Sequence, residues 1–595
     1  MHQKYSVLAQ SDALQKIMAG ESIRGCILEE LDLSGKEFSL PITLEECSIG
    51  SLKLRDSLFK APVVFAKTVF TEEVLGGWES TFHKTGVAVF QESISFKECD
   101  FQCKVVFGGT KFQSLAAFQN AVFHKSAFFT NSSFAEQVYF WKACFQDTVS
   151  FQNCSFGIEG HFDECEFFRN ASFENAKFLQ KEGSFNSIHA YENIQFIGAT
   201  FEGYLAFRKA IIDGECDFKG IRCLQEADFS DARFLKKTSF RNAVFEKKVV
   251  FFHTVFEGLA SFLGTKFQDA TFLNSQFHDE MLMNYDRNTR ASMNEAGAAA
   301  DFQGCTDFTN VRFHKRAVFE EVTFHQSTTF ANAYFGEQAD FIDTRFQGPV
   351  SFNSVYCNQE LSAVHASFSE VTFDYANINR RLDLSEAQIN SISFYKAALD
   401  LIVIESYQVK RRLLNEHPNH LQYNRVKEEY LILKESFQKR GLSEEEDWAY
   451  WKFRQMKRKA SSQRAFARLA GKNKEGTYLG AFFKLFWNLF ERISIDRGSG
   501  YGTKPLHITL VAFSVILLFA YIYSTFAEEF LIQQKSDFGF AQAVYYSFAT
   551  FTTMGVGDIQ PLLNSFMTYI VSIEAFLGLF IMTLFVGTYT RKIIR

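Results

Sequence analysis

Proline is nearly missing from this chain, six in 595 residues, about one per cent where about five is ordinary. That scarcity excludes collagen and mucin-like stalks, and 47% hydrophobic residues with 16% aromatics exclude generic disorder, because so much apolar surface can bury a large core. Charge of one sign is also lacking. Lys plus Arg 62 against Asp plus Glu 68 leaves −6 overall, so no whole-chain argument for nucleic-acid binding stands. The 11 cysteines are an odd number with no CxxC pair, which speaks against a zinc or redox site and fits a reducing compartment. No His or Ser falls in a nucleophile motif, so an enzyme is not expected, nor is a cofactor or structural metal. Met1 to Gly20 has no basic region followed by an apolar run, and so does not read as a secretory signal.

What the chain has in excess is phenylalanine, 72 residues. From Phe96 the positions run 101, 107, 112, 118, 123, 129 and 134, in alternating steps of five and six, so the true period is 11. The pattern holds with few faults to Phe352, while Leu28, Leu33 and Phe38, and later Phe368, Phe373 and Ile378, step by five alone. Hendecads also build right-handed helical supercoils. Helix geometry rejects that reading, because positions 0 and 5 lie about 140° apart and share no stripe. Segments such as Phe151-Gln-Asn-Cys-Ser-Phe156 also favour turns and strands. A four-sided coil spending five or six residues per side turns one Phe inward on each face. Two 11-mers then make a coil of 22 residues that stacks Phe96, Phe118, Phe140 and Phe162 in one ladder and Phe101, Phe123, Phe145 and Phe167 in the next.

This pattern resembles the pentapeptide-repeat family in its Phe-rich, 11-residue form, and the resemblance implies a right-handed quadrilateral β-solenoid over residues 23–404, behind an N-terminal helical cap at 1–22. About 15 coils are expected. Cys99, Cys154, Cys165 and Cys216 read as small interior residues beside the Phe. Two breaks stand out, Leu179 to Gln195 and an insertion at 278–301 carrying Met281, Met283 and Met293. The insertion is either a bulging loop or a docking element for a partner or neighbouring subunit, and an unknown protein or ligand is expected on the solenoid.

Residues 405–505 read as a helical, basic connector. Leu413 to Arg440 and Glu444 to Lys459 pattern as amphipathic helices broken at Gly441, with Ser443-Glu-Glu-Glu446 as a capping box. Between Lys452 and Lys474 stand nine basic residues and no acidic one. Placed just before a membrane helix, that run is expected to meet anionic lipid headgroups rather than nucleic acid. Tyr478 to Arg492 reads as an interfacial helix carrying Phe482, Phe483, Phe486 and Phe490. The Gly500-Tyr-Gly502 triplet reads as a turn at the membrane surface.

Long hydrophobic runs occur only at the end of the chain. His507 to Phe526 has no Lys, Arg, Asp or Glu, and Leu562 to Thr590 has only Glu574, so two membrane-spanning helices are expected within 506–595. Between them, Phe540 to Thr550 forms a helix too short to span and leads into Thr552-Thr-Met-Gly-Val-Gly-Asp558. Gly555 and Gly557 can take conformations forbidden to other residues, so that successive carbonyls face one axis and replace an ion's water shell. The short helix aims its negative C-terminal end there, which favours a cation.

The order of these elements resembles the two-transmembrane potassium channels, with their Thr-Val-Gly-Tyr-Gly-Asp signature. By that match Thr552 and Thr553 open the filter. The Thr553 hydroxyl and the carbonyls of Thr553, Met554, Gly555 and Val556 line K+ sites, Gly557 and Asp558 close the outer mouth, and Gly578 is an inner-helix hinge. The resemblance implies a homotetramer. Met554 replaces Val, and Val556 replaces the Tyr whose hydroxyl ties the family's filter to pore-helix aromatics, whose places Tyr545 and Tyr546 hold. Two readings of Glu574 stand open, an acid facing the cavity and a hydrogen-bonded brace behind the filter. Leu579, Thr583 and Val586 fall at helical spacing below Gly578, as gate or as plain packing. Together these readings make a potassium channel of the plasma (inner) membrane, multi-pass, with both termini cytoplasmic and the solenoid as scaffold or regulator. The rivals are a weakly selective cation channel and a membrane-tethered scaffold with a vestigial pore.

Overall fold

The computed structural model describes residues 6–593 apart from 80–85, 285–298, 418–420, 472–476, 533–537, 556 and 564. Met293, Lys472, Lys474 and Val556 therefore lie outside the described residues. The chain divides into two units, Met1–Arg412 and Leu413–Arg595.

The first unit is a β-solenoid of about 17 turns, two more than expected. Strands of two or three residues pair in parallel with those one coil away: Val122 and Phe123 align with Cys144 and Phe145, which align with Glu166 and Phe167. Because the step is one whole coil, each Phe lies over the next. Ring centroids are 4.7 Å apart for Phe118 and Phe140 and 5.1 Å for Phe140 and Phe162, stacked within 7°. The ladders through Phe101, Phe107 and Phe112 continue the same way, with 4.7 Å between Phe101 and Phe123 and 4.6 Å between Phe112 and Phe134. All these rings are 0–1% exposed. Stacked aromatic pairs contribute about 0.5–1.5 kcal/mol each beyond their buried area.

The alternation of five and six has a backbone cause. Two residues after every second Phe the chain turns a corner in the left-handed region, at Glu98 (φ 57°), Asn120 (56°), Asn131 (59°), Lys142 (56°), Asn153 (55°) and Glu164 (56°). The side holding such a corner needs five residues, the next side six. A left-handed L-residue costs about 1–2 kcal/mol, least for Asn and Gly. Replacing Asn153 by Gly is therefore expected to leave the coil intact. Asn153→Val, β-branched at φ 55°, is expected to speed local amide hydrogen exchange about ten-fold. Equal exchange in the two variants would contradict this origin of the period.

The residue following a corner points inward, and several that are Ser, Thr or Cys give their hydrogen to a carbonyl about a coil away. Ser132 Oγ donates to Phe107 O (2.6 Å), Thr265 Oγ1 to Phe240 O (2.7 Å) and Cys154 Sγ to Phe129 O (2.8 Å). Cys99, Cys154, Cys165 and Cys216 are buried and free. Burial pushes the Cys99 thiol up to about 12, so it stays protonated at neutral pH.

Both expected breaks are smaller than their sequences imply. Leu179 to Gln195 is no interruption: the pairing step there is 23 rather than 22 residues, so a single extra residue sits between Phe178 and Glu182 while the strands continue. At the second break, Met281 and Met283 are fully buried, and Met281 pairs between Ala260 and Ala317 in the interior ladder. They are core, not a docking surface. The step from Phe277 to Phe313 is 36 residues, so the extra chain begins after Asn284, where the Asn284 amide donates to Glu320 O (3.0 Å).

Both ends of the stack are covered, as an open parallel edge requires. Helix Gln10–Met18 buries Ala13 and Ile17. Helix Ser406–Val409 inserts Gln408, whose amide donates to Leu384 O and Ala387 O, both at 2.8 Å.

The second unit opens with helices Tyr423–Lys439 and Ser443–Leu469. The first starts ten residues later than its pattern implies, because Leu414–Glu416 forms a 3-10 turn. The second runs ten residues beyond Lys459, and the expected capping box is absent: Leu442 is the N-cap, leaving Ser443 one place too far in. Gly441, at φ 71°, separates them. Helix Tyr478–Phe490 leaves Phe482, Phe483 and Phe486 more than 60% exposed, then continues as a π-helical turn, Glu491–Arg497. Gly500, Tyr501 and Gly502 form a tight turn with three successive left-handed residues.

Candidate functional site

Two helices of the second unit are long and apolar enough to cross a membrane, Pro505–Thr525 and Phe566–Ile593. Pro505 sits at the first helical position, where its missing N–H is no loss. At 1.5 Å per residue, 21 residues reach about 32 Å, the thickness of a bilayer core. The helix between them, Phe540–Phe551, has 12 residues and reaches only about 18 Å, so it must enter and return. A short antiparallel pair, Phe530–Ile532 with Ile559–Pro561, ties the chain entering this re-entrant segment to the chain leaving it. Sequence pattern gave no sign of that pair, since three-residue strands have no period to read.

The short helix packs on both spanning helices through Phe519, Ala520, Tyr523, Phe530, Ala543, Tyr546, Ile559 and Met567. Its two tyrosines separate. Tyr546 is buried, 5.4 Å from the rings of both Tyr523 and Phe530, whereas Tyr545 is half exposed. One aromatic thus braces the helix from behind, and its neighbour faces outward.

The helix ends in a Schellman turn: Thr553 N–H donates to Thr550 O (3.0 Å) and Met554 N–H to Ala549 O (3.0 Å), with Thr553 left-handed at φ 56°. Gly555 is also left-handed, at φ 64°. Gly557 is not, so of the two expected glycine conformations one is present, and Thr553 takes the second left-handed position because the last helical carbonyls need donors. Thr553, Met554, Gly555, Gly557 and Asp558 are exposed on the single chain, Met554 by 75%, and no atom lies within 4 Å of where a Cβ on Gly555 or Gly557 would sit. Thr552 caps the helix, its hydroxyl donating to Phe548 O (2.8 Å).

Behind this loop lies a polar cluster in an apolar setting. Glu574 of the second spanning helix is fully buried. It accepts from the Tyr523 hydroxyl (2.6 Å) and from Ser547 Oγ, whose single hydrogen is shared with Ile516 O (2.8 Å). One carboxylate therefore joins both spanning helices to the short one. This is the brace arrangement of the two open readings, and no sequence signal separates it from a cavity-facing acid.

Gly578, one turn on, is helical and lies against the end of the short helix: a Cβ there would sit 2.1 Å from Phe551 O. The helix continues unbroken from Phe566 to Ile593, so the glycine's visible work is close packing rather than a bend. Leu579, Thr583 and Val586 occupy an exposed face below it, with Leu579 and Val586 about 60% exposed.

Residues 511–595 match the family model described as Ion channel, and residues 107–155 and 308–355 match Pentapeptide repeats, nine copies in all. No curated protein and no solved structure matches the chain. The chain therefore joins a pentapeptide-repeat solenoid to an ion-channel domain with two apolar helices, and it is a membrane protein.

Proposed function

We propose, from a chain that sets an ion-channel domain behind a pentapeptide-repeat solenoid, that four copies surround a potassium-selective pore whose opening the solenoids regulate from the cytoplasm. The observation that carries this reading is the loop Thr553 to Asp558. It hangs from a helix too short to cross, is tied back by a strand pair, and leaves Thr553, Met554, Gly555, Gly557 and Asp558 exposed on the single chain. Exposed polar backbone at membrane depth is tolerated only where it lines an aqueous cavity or is buried by protein, which further copies would supply. The unpartnered face of Leu579, Thr583 and Val586 supports the same arrangement.

Selectivity rests on Thr553 to Gly557 supplying carbonyls from every subunit; with Val at 556 in place of a tethering Tyr, a weakly selective cation pore is the second reading. Asp558 stands at the outer mouth. The solenoid, packed ring on ring, makes a stiff lever. It acts on the pore only by having different affinities for a ligand or protein in the open and closed arrangements. The basic connector and the exposed Phe482, Phe483 and Phe486 support a position at an anionic membrane surface.

In this reading both termini lie in the cytoplasm and the protein is in the plasma membrane. Arg591 and Lys592 and the connector's basic run flank the spans on one side, while Glu528, Glu529 and Asp558 lie between them. An impermeant thiol reagent is expected to label Gln534→Cys on intact cells, and the purified protein is expected to have the mass of four chains. Protection of that cysteine, or a monomeric mass, would overturn this reading.

A further inference from the structure

The Thr553 to Asp558 loop is fixed at both ends. At its start the Met554 N–H closes the last turn of the short helix on Ala549 O (3.0 Å). At its far end Ile559 already stands in a strand, so only residues 555–558 lie between the two anchors. That strand sets Ile559 opposite Ile532, Gln560 opposite Leu531 and Pro561 opposite Phe530, and the Leu562 N–H extends the pair to Glu529 O (2.9 Å).

A two-stranded ribbon this short is at best marginal on its own. Burial of its alternate residues is what seats it: Phe530 and Ile559 are 7% and 5% exposed, whereas Leu531 and Gln560 on the other face are exposed. The Phe530 ring lies among three others, its centroid 5.3 Å from Tyr523, 5.3 Å from Phe538 and 5.4 Å from Tyr546. Tyr523 belongs to the first spanning helix and Tyr546 to the short helix, and the Tyr523 hydroxyl donates to Glu574 of the second spanning helix (2.6 Å). One side chain thus refers the end of the loop to all three helices. Gln560 reaches back to the loop itself, its amide donating to Gly557 O in a long bond of 3.4 Å.

We propose that Phe530 and Gln560 are positioning residues for ion selection, Phe530 by seating the strand pair that fixes the end of the loop and Gln560 by orienting the Gly557 carbonyl. Valine at 556 offers no hydroxyl with which to tie the loop from the side. The strand pair ties it from the end instead, with main chain and packing. Carbonyls select an ion only while their number and direction around it are kept. A stretch as short as 555–558 loses both when either anchor slips. The inference rests on the pore reading proposed above and names the residues that hold its loop in place.

The test is the potassium-to-sodium permeability ratio of the purified full chain in a planar bilayer, with amide hydrogen exchange of residues 557–562 read on the same preparations. Phe530→Ala is expected to lower the ratio and to speed exchange, each about ten-fold. Phe530→Leu, which keeps most of the buried volume, is expected to stay within about two-fold of wild type, and Leu531→Ala, on the exposed face of the same strand, to change neither quantity. Gln560→Met keeps the length, lacks the donor and lies outside the core. It is expected to lower the ratio about three-fold at an unchanged thermal midpoint, which a purely structural role would not do. Should Phe530→Ala fail to fold, Gln560→Met carries the test. A ratio that stays at the wild-type value in the folded variants overturns the proposal, and so does wild-type exchange in Phe530→Ala. A wild type that does not distinguish potassium from sodium counts against the pore reading, and the exchange rates then decide whether Phe530 holds the end of the loop.

Discussion

Gly578→Ala is expected to abolish potassium flux, or cut it at least ten-fold, while Gly587→Ala on the same helix leaves it near wild type. An alanine Cβ at 578 would meet Phe551 O at 2.1 Å, far inside contact distance, and the obstacle is backbone at the end of the short helix. Either the spanning helix or the end of the short helix must move. Overpacking of this kind costs on the order of 1–3 kcal/mol, and here the displacement falls where Thr552 and Thr553 begin. Nothing lies within 4 Å of the corresponding point on Gly587, where alanine adds helix propensity of about 1 kcal/mol. Flux ratios in vesicles for the two variants decide the matter; equal tolerance would show that close packing at Gly578 does not hold the Thr553 to Asp558 loop.

The second large effect concerns Glu574. Leucine there would strand the Tyr523 hydroxyl in an apolar cluster, at about 1–3 kcal/mol for an unsatisfied buried group, while Ser547 keeps Ile516 O. Glutamine keeps an acceptor for Tyr523. The expected order is therefore a small loss of thermal stability for Glu574→Gln and a large loss, with rapid inactivation of current, for Glu574→Leu. If the proposed filter carries the ions, single-channel conductance of Glu574→Gln should equal wild type, because the carboxylate is held by Tyr523 and Ser547 behind that loop. A marked fall in conductance on neutralising the charge would return Glu574 to the cavity.

The solenoid could be read in the sequence because its core is written with one residue type. A Phe every five or six residues leaves no other way to bury 16% aromatics. Its corners were harder to read, since Glu98, Lys142 and His253 take the same left-handed position as Asn153, so composition does not mark the site. The loop from Thr553 to Asp558 was legible because glycine spacing between two apolar runs is local information. Tertiary choices had no such marker. Whether Glu574 faces a cavity or Ser547 depends on helix rotation, and Gly578 serves close packing only because Phe551 arrives opposite it. The connector's charges misled in a different way. Arg454 and Arg458 read as headgroup contacts but pair with Glu491 and Asp496 downstream, at 3.2 and 2.5 Å, partners that a reading of the basic run alone does not supply. Ser443 shows how one residue of offset turns a capping signature into ordinary helix.

The central claim, that residues 505–595 form a cation-selective ion path through the Thr553 to Asp558 loop, is tested most directly by the reversal potential of the purified full chain in a planar bilayer. The bilayer would hold a potassium gradient balanced by sodium. Currents that reverse near the potassium equilibrium potential and vanish in Gly555→Ala, whose Cβ opposes the left-handed backbone at φ 64°, are the expected result. Currents that persist unchanged in Gly555→Ala, or no current from the intact protein, would contradict the account.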